Sequence, residues 1–133
     1  MRKATKVSAL TDESGTPLYL LFHPGNKNDG KTLFHLLSKA ANYFQLDTHS
    51  LYADKAYDSA RCRGVLRHRK MNDRISRRKS TPSRAQNRIR IAVEHTFGWL
   101  DKYRRIILRY DGLICHFRSF HYMASMILVS GRL

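Results

Sequence analysis

Ser50-Leu51-Tyr52-Ala53-Asp54-Lys55-Ala56-Tyr57-Asp58-Ser59 is the stretch on which the architecture turns. Its first four residues form a short apolar run that reads as a strand, and the run stops at Asp54. Ser59 to Lys70 then has helical character, and Arg74-Ile75-Ser76 predicts one more short strand. Strand, helix and strand in that order mark an α/β protein. Asp58 stands just ahead of the helix and is expected to cap it.

Upstream, the chain reads as a β-hairpin. Lys6 to Leu10 has strand character, Thr11 to Thr16 carries turn chemistry around Ser14-Gly15, and Pro17 to Phe22 forms the return strand. Lys31 to Phe44 follows, with Leu33, Leu36, Leu37, Ala40, Ala41 and Phe44 at helical spacing. Downstream, Ser80-Thr81-Pro82-Ser83 predicts the start of a long helix running to about Ile107, with Ile89, Val93, Phe97 and Leu100 on its core stripe. Asp111-Gly112 breaks the chain, and Phe117 to Val129 reads as a last apolar helix. With 133 residues and 42% hydrophobic content, the chain fits one domain with a real core, spanning 1–133.

The net charge is +15, from 25 Lys and Arg against 10 Asp and Glu. Between Arg61 and Arg109 there are 16 basic residues and only three acids, Asp73, Glu94 and Asp101. Such a field repels itself unless a polyanion answers it, so nucleic acid is the expected partner. Arg84, Arg88, Arg90, Lys102, Arg104 and Arg105, along the expected long helix, are the candidate DNA contacts. A solvated basic face is the alternative reading. No apolar run is long enough for a membrane span, and Met1-Arg2-Lys3 leads into no signal-peptide core. Two cysteines, Cys62 and Cys115, fit a reducing compartment: cytoplasmic, and nucleoid-associated in a bacterial host.

Gly25-Asn26-Lys27-Asn28-Asp29-Gly30-Lys31-Thr32 matches a phosphate-binding loop letter for letter. The physics is against it. Asp29 would set a carboxylate among the amides meant for phosphate, and the preceding strand belongs to an antiparallel hairpin. The seven histidines form no zinc-type spacing.

Two acids stand out in this basic chain: Asp54 at a strand end, and Glu94 in Arg90-Ile91-Ala92-Val93-Glu94-His95. Glu94 falls on a stripe with Asn87, Arg90, Gly98 and Asp101 beside the core stripe, and Gly98 one turn on leaves room beside it. Carboxylates within a positive field suit Mg²⁺ (or Mn²⁺), a hard cation that takes oxygen ligands. Spacing alone leaves a second reading open, in which Glu94 simply pairs with Arg90 at i−4.

Together these segments resemble the bacterial insertion-sequence transposases of the DDE type, in a group related to the Harbinger elements. Ala53-Asp54-Lys55-Ala56-Tyr57-Asp58-Ser59 is similar to the family's A-D-K-G-Y-D-S block, and Arg90-x-x-x-Glu94 to its R-x-x-x-E. Phe97-Gly98-Trp99-Leu100, Tyr103-Arg104-Arg105-Ile106, Arg109-Tyr110-Asp111 and Pro24-Gly25-Asn26 with Asp29 extend the likeness over roughly residues 3 to 122. Ala56, Asn87 and Asp101 depart from the pattern, where glycine, tyrosine and a basic residue are usual.

The resemblance implies an RNase H-like fold of the retroviral-integrase superfamily, a mixed sheet with flanking helices. It also implies that Asp54 and Glu94 are the second and third catalytic carboxylates and metal ligands, that Mg²⁺ (or Mn²⁺) is the cofactor, and that DNA, as element ends and target, is the substrate. The family's first catalytic Asp lies on a strand before the hairpin, and no acid here matches it. The chain is therefore expected to be the C-terminal part of the catalytic domain, lacking the first strand, as a product of a split gene or a decayed remnant. An open sheet edge would then pair with an upstream transposase fragment, or the chain would form a homo-oligomer. The alternative function is a non-catalytic DNA- or RNA-binding remnant.

Overall fold

The computed structural model describes residues 4–109 and 112–132. Met1 to Lys3, Tyr110, Asp111 and Leu133 lie outside the described residues, and with them part of the Arg109-Tyr110-Asp111 motif and of the Asp111-Gly112 break.

Strands β1 (Thr5–Thr11) and β2 (Pro17–Pro24) form the antiparallel hairpin, with Val7 opposite Phe22 and Leu10 opposite Tyr19. Asp12 builds the turn, its carboxylate accepting from the backbone N–H of Ser14 at 2.9 Å and of Thr16 at 2.8 Å. Period-two alternation gives the hairpin two faces. On one, Leu10, Tyr19 and Leu21 meet helix α1 (Asp29–Ala40), which buries Leu33, Leu36, Leu37 and Ala40. On the other, Phe22 packs edge-on against Phe117 and His121 of helix α5 (Ile114–Ser130). Helices thus cover both faces of the hairpin. Helix α1 stops at Ala40 rather than at Phe44, because Ala41 to Phe44 close into turns instead of continuing the helix.

Strand β3 (Ser50–Ala53), helix α2 (Ala60–His68) and strand β4 (Asn72–Ile75) form the expected strand–helix–strand unit, with β3 and β4 parallel. Leu51, Cys62, Leu66, Met71 and Ile75 join the α1 core. The result is α/β, but not one continuous sheet. Among the described residues, the antiparallel pair β1–β2 and the parallel pair β3–β4 are two separate sheets with no hydrogen-bonded ladder between them.

Helix α3 (Arg84–Leu100) begins later than the proline suggested, at Ser83, in a reciprocal cap with Gln86. It also ends earlier, at Leu100, and Arg104–Ile107 form a separate short helix, α4. The break has a packing reason. Leu100 and Ile106 are buried in one small cluster with Ala124 of α5. On an unbroken helix, residues six apart would point about 120° away from each other. The buried stripe of α3 also shifts: Thr96 and Leu100 are fully covered, while Ile89, Val93 and Phe97 are half-buried. Thr96 takes that place because its hydroxyl donates to the carbonyl of Gly15, seating the hairpin turn on α3.

His121 is buried between Phe22 and Phe117, with its Nδ1 2.9 Å from the Phe117 carbonyl. Burial pushes its imidazole below its ordinary pKa, against the carbonyl contact and the charge of Asp101. The unfolded chain therefore binds the proton more readily, and stability falls as pH drops below about 6.5. Melting temperatures at pH 7 and pH 5 should differ less in His121→Leu than in the parent. An equal difference in both would remove His121 as the source.

Candidate active site and nucleic-acid interface

Asp54 follows the last residue of β3, where the chain leaves the sheet. It opens a single 3-10 turn, Lys55–Tyr57, by accepting from the Lys55 N–H at 2.7 Å. A carboxylate at a strand's end, ahead of a turn that holds its backbone, is exposed to solvent yet fixed at its Cα. Helix α3, which carries Glu94, packs against β3. Gln86 adds a second tie, donating its side-chain N–H to the Arg74 carbonyl of β4 at 3.1 Å. Helix α3 therefore touches the strand that ends one residue before Asp54.

Glu94 is not at the core boundary. Its side chain is 57% exposed and accepts from Arg90 Nε at 2.9 Å. A methyl group at Gly98, one turn further on, would meet nothing within 4 Å, so the space beside Glu94 is open. The Arg90 pair is exposed on both sides, so it adds a few tenths of a kcal/mol at most. It leaves the carboxylate free to exchange partners.

The candidate DNA contacts separate into groups. Arg84 and Arg88 lie on one side of α3, and Arg88 reaches Glu13 of the hairpin turn at 3.7 Å. Arg90 lies about 160° around the helix from Arg88 and shares a side with Glu94. Lys102, Arg104 and Arg105 are exposed beyond the end of α3, with the Arg105 guanidinium over the Phe120 ring at 4.7 Å. One straight stripe along α3 cannot hold all six.

Asp58 does not cap α2. Ser59 does so, its Oγ accepting from the Cys62 N–H at 3.2 Å. Asp58 instead pairs with Arg63 at 2.7 Å and accepts from the Arg78 N–H at 2.9 Å, and Arg63 also holds Asp73 of β4. The Arg63 guanidinium first, and the Arg78 amide second, hold the Asp58 carboxyl below the usual carboxylate range. This cluster ties the turn after Asp54 to the loop that leads into α3. Sequence reading missed it because Asp58, Arg63 and Asp73 follow no helical or strand period.

The loop that imitates a phosphate site is already filled. The Gly30 N–H donates to Asn28 Oδ1 at 2.8 Å, and Asp29 pairs with Lys6. Among the described residues, no three of His, Cys, Asp and Glu are grouped to hold a metal ion. Nor, among those residues, is any helix long and apolar enough to cross a membrane.

With this geometry in place, comparison with known proteins defines the class. The model of the transposase DDE domain matches residues 2–128, and the chain belongs to that family. A Burkholderia cepacia protein named "Putative transposase for insertion sequence element IS402" is 33% identical over 116 residues, covering 83% of this chain and 55% of that protein. The chain thus spans about half the length of this relative. No solved structure shows a significant match to the chain.

Proposed function

We propose that the chain is part of a DNA transposase of the insertion-sequence type, acting on phosphodiester bonds of element ends and target. The observation that supports this reading is the contact of α3, which carries Glu94, with β3, the strand that ends one residue before Asp54, in a chain of this family. Both side chains offer exposed carboxylate oxygens, a donor set that fits Mg²⁺ or Mn²⁺ in kind. When bound there, the ion would supply an activated water or 3′-hydroxyl and stabilise the leaving oxygen. The protein's own groups do the rest. The Lys55 amide fixes Asp54, Arg90 orients Glu94, and Arg84, Arg88, Lys102, Arg104 and Arg105 bind phosphates, positioning the strand.

Two carboxylates are fewer than the family's three. In this reading the first comes from a strand on an upstream transposase fragment. The two sheets, which share no ladder, leave unpaired strand edges for such a strand to join. The protein, taken from its own host with whatever it assembles with, should nick supercoiled DNA with Mg²⁺ and not with EDTA. Salt-sensitive DNA binding with no nicking under either condition would favour the non-catalytic remnant instead.

A further inference from the structure

A second feature involves none of the residues placed at the candidate active site. Between α1 and α2 runs an open cleft of about 670 Å³, lined by Phe34, Asp47, Arg61, Gly64, His68 and Arg69, with Val65 at its floor. Asp47 belongs to the segment entering β3, whereas Asp54 follows its last residue. The cleft is within the size range of small-ligand sites.

Four features of it call for a ligand. Phe34 is 46% exposed on a helix whose other large apolar side chains are buried, so its ring faces the cleft at a cost in solvation. Gly64 sits inside α2, where glycine costs about 1 kcal/mol against alanine, and a Cβ there would meet nothing within 4 Å. The space above Gly64 is therefore open. Arg61, His68 and Asp47 take part in none of the ion pairs formed among the described residues. Arg69 is fixed across the cleft by its 3.0 Å bond to Ser38 Oγ of α1. Finally, the chain is bent into the left-handed region at Thr48 (φ 69°), whose N–H donates at 3.3 Å to the carbonyl of Lys70, the left-handed residue (φ 53°) that closes the C-terminus of α2. Thr48 is β-branched, and strain of this kind collects where a site is built.

An aromatic face, cations and a single carboxylate match the parts of a nucleotide. We infer that the α1–α2 cleft takes one unpaired nucleotide of a nucleic-acid strand, separately from the carboxylates of the proposed active site. Its base stacks on Phe34, a contact open to any base. Asp47 accepts from the base's Watson–Crick edge, where guanine alone offers two parallel N–H donors. Arg61, His68 and Arg69 take the phosphate. A strand fits better than a free nucleotide, because exposed Arg67 on α2, Lys70 just beyond it, and Lys31 and Lys39 on α1 add to the positive surface around the cleft.

Fluorescence anisotropy with a labelled single-stranded hexanucleotide containing one guanine, against a duplex of the same sequence, tests this. Phe34→Ala should weaken the single strand about 10-fold and leave the duplex unchanged. Asp47→Asn should remove the preference for guanine over thymine at that position. Gly64→Leu should block the single strand while the melting temperature holds or rises, which separates occupancy from folding. Single-strand binding untouched by Phe34→Ala and Gly64→Leu, or displaced as well by inorganic phosphate as by dGMP, would overturn the inference. Since Asp54 and Glu94 are intact in all three variants, metal-dependent nicking distinguishes failure here from failure of the proposed function.

Discussion

Asp54→Asn and Glu94→Gln each reduce metal-dependent nicking at least about 100-fold, because removing a group that only supports a metal ligand already costs 10- to 100-fold and a ligand must cost more. Duplex affinity stays within about two-fold of the parent, since each change removes one negative charge from a +15 chain. The fold should hardly notice. Asn at position 54 keeps an oxygen for the Lys55 amide, and Glu94 loses only an exposed pair with Arg90. Nicking assays and melting curves on the same samples separate the two effects. Activity surviving both substitutions would remove these acids from the chemistry, whatever else the chain binds.

Gly15→Val is expected to be the most damaging single substitution in the hairpin. Gly15 is buried at the turn with φ +85°, and a Cβ there would lie 2.5 Å from the Ala92 carbonyl oxygen of α3. Two costs add. A β-branched residue is strained in the left-handed region, and the obstructing atom is helix backbone, which cannot swing aside. Together they amount to about 3 kcal/mol, or a melting temperature lower by roughly 10 °C. Gly15→Asn separates the two terms, because asparagine tolerates the left-handed conformation but keeps the collision. It should be nearly as unstable as Gly15→Val. Full stability in Gly15→Asn would mean that the turn does not dock closely on α3. The same loss of docking should lower nicking, since α3 carries Glu94.

Local patterning made much of this molecule legible. The turn residues from Asp12 to Thr16 announce the hairpin, the spacing of Leu33, Leu36, Leu37 and Ala40 announces α1, and the apolar run before Asp54 announces β3. What escaped depends on contacts between distant segments. Thr96 replaces Phe97 at the heart of the α3 stripe because Gly15, 81 residues away, bonds to its hydroxyl. The helix breaks after Leu100 so that Leu100 and Ile106 can share the cluster around Ala124. Neither event has a signal within one turn of helix. Asp58 looked like a cap because caps are acids near helix starts, but Arg63 competes for it with a charge that Ser59 lacks. For the candidate site, residue types and their order were readable, whereas the packing of α3 on β3 is tertiary.

Whether Asp54 and Glu94 share one ion is tested most directly by Mn²⁺ titration followed by NMR. With the side-chain carboxyl carbons of Asp and Glu labelled, substoichiometric Mn²⁺ should broaden the resonances of Asp54 and Glu94 together, ahead of exposed acids such as Glu13 and Asp47. Loss of both signals from the early phase on substituting either residue would complete the result. Broadening of one without the other, or of both no sooner than Glu13, would contradict a shared site.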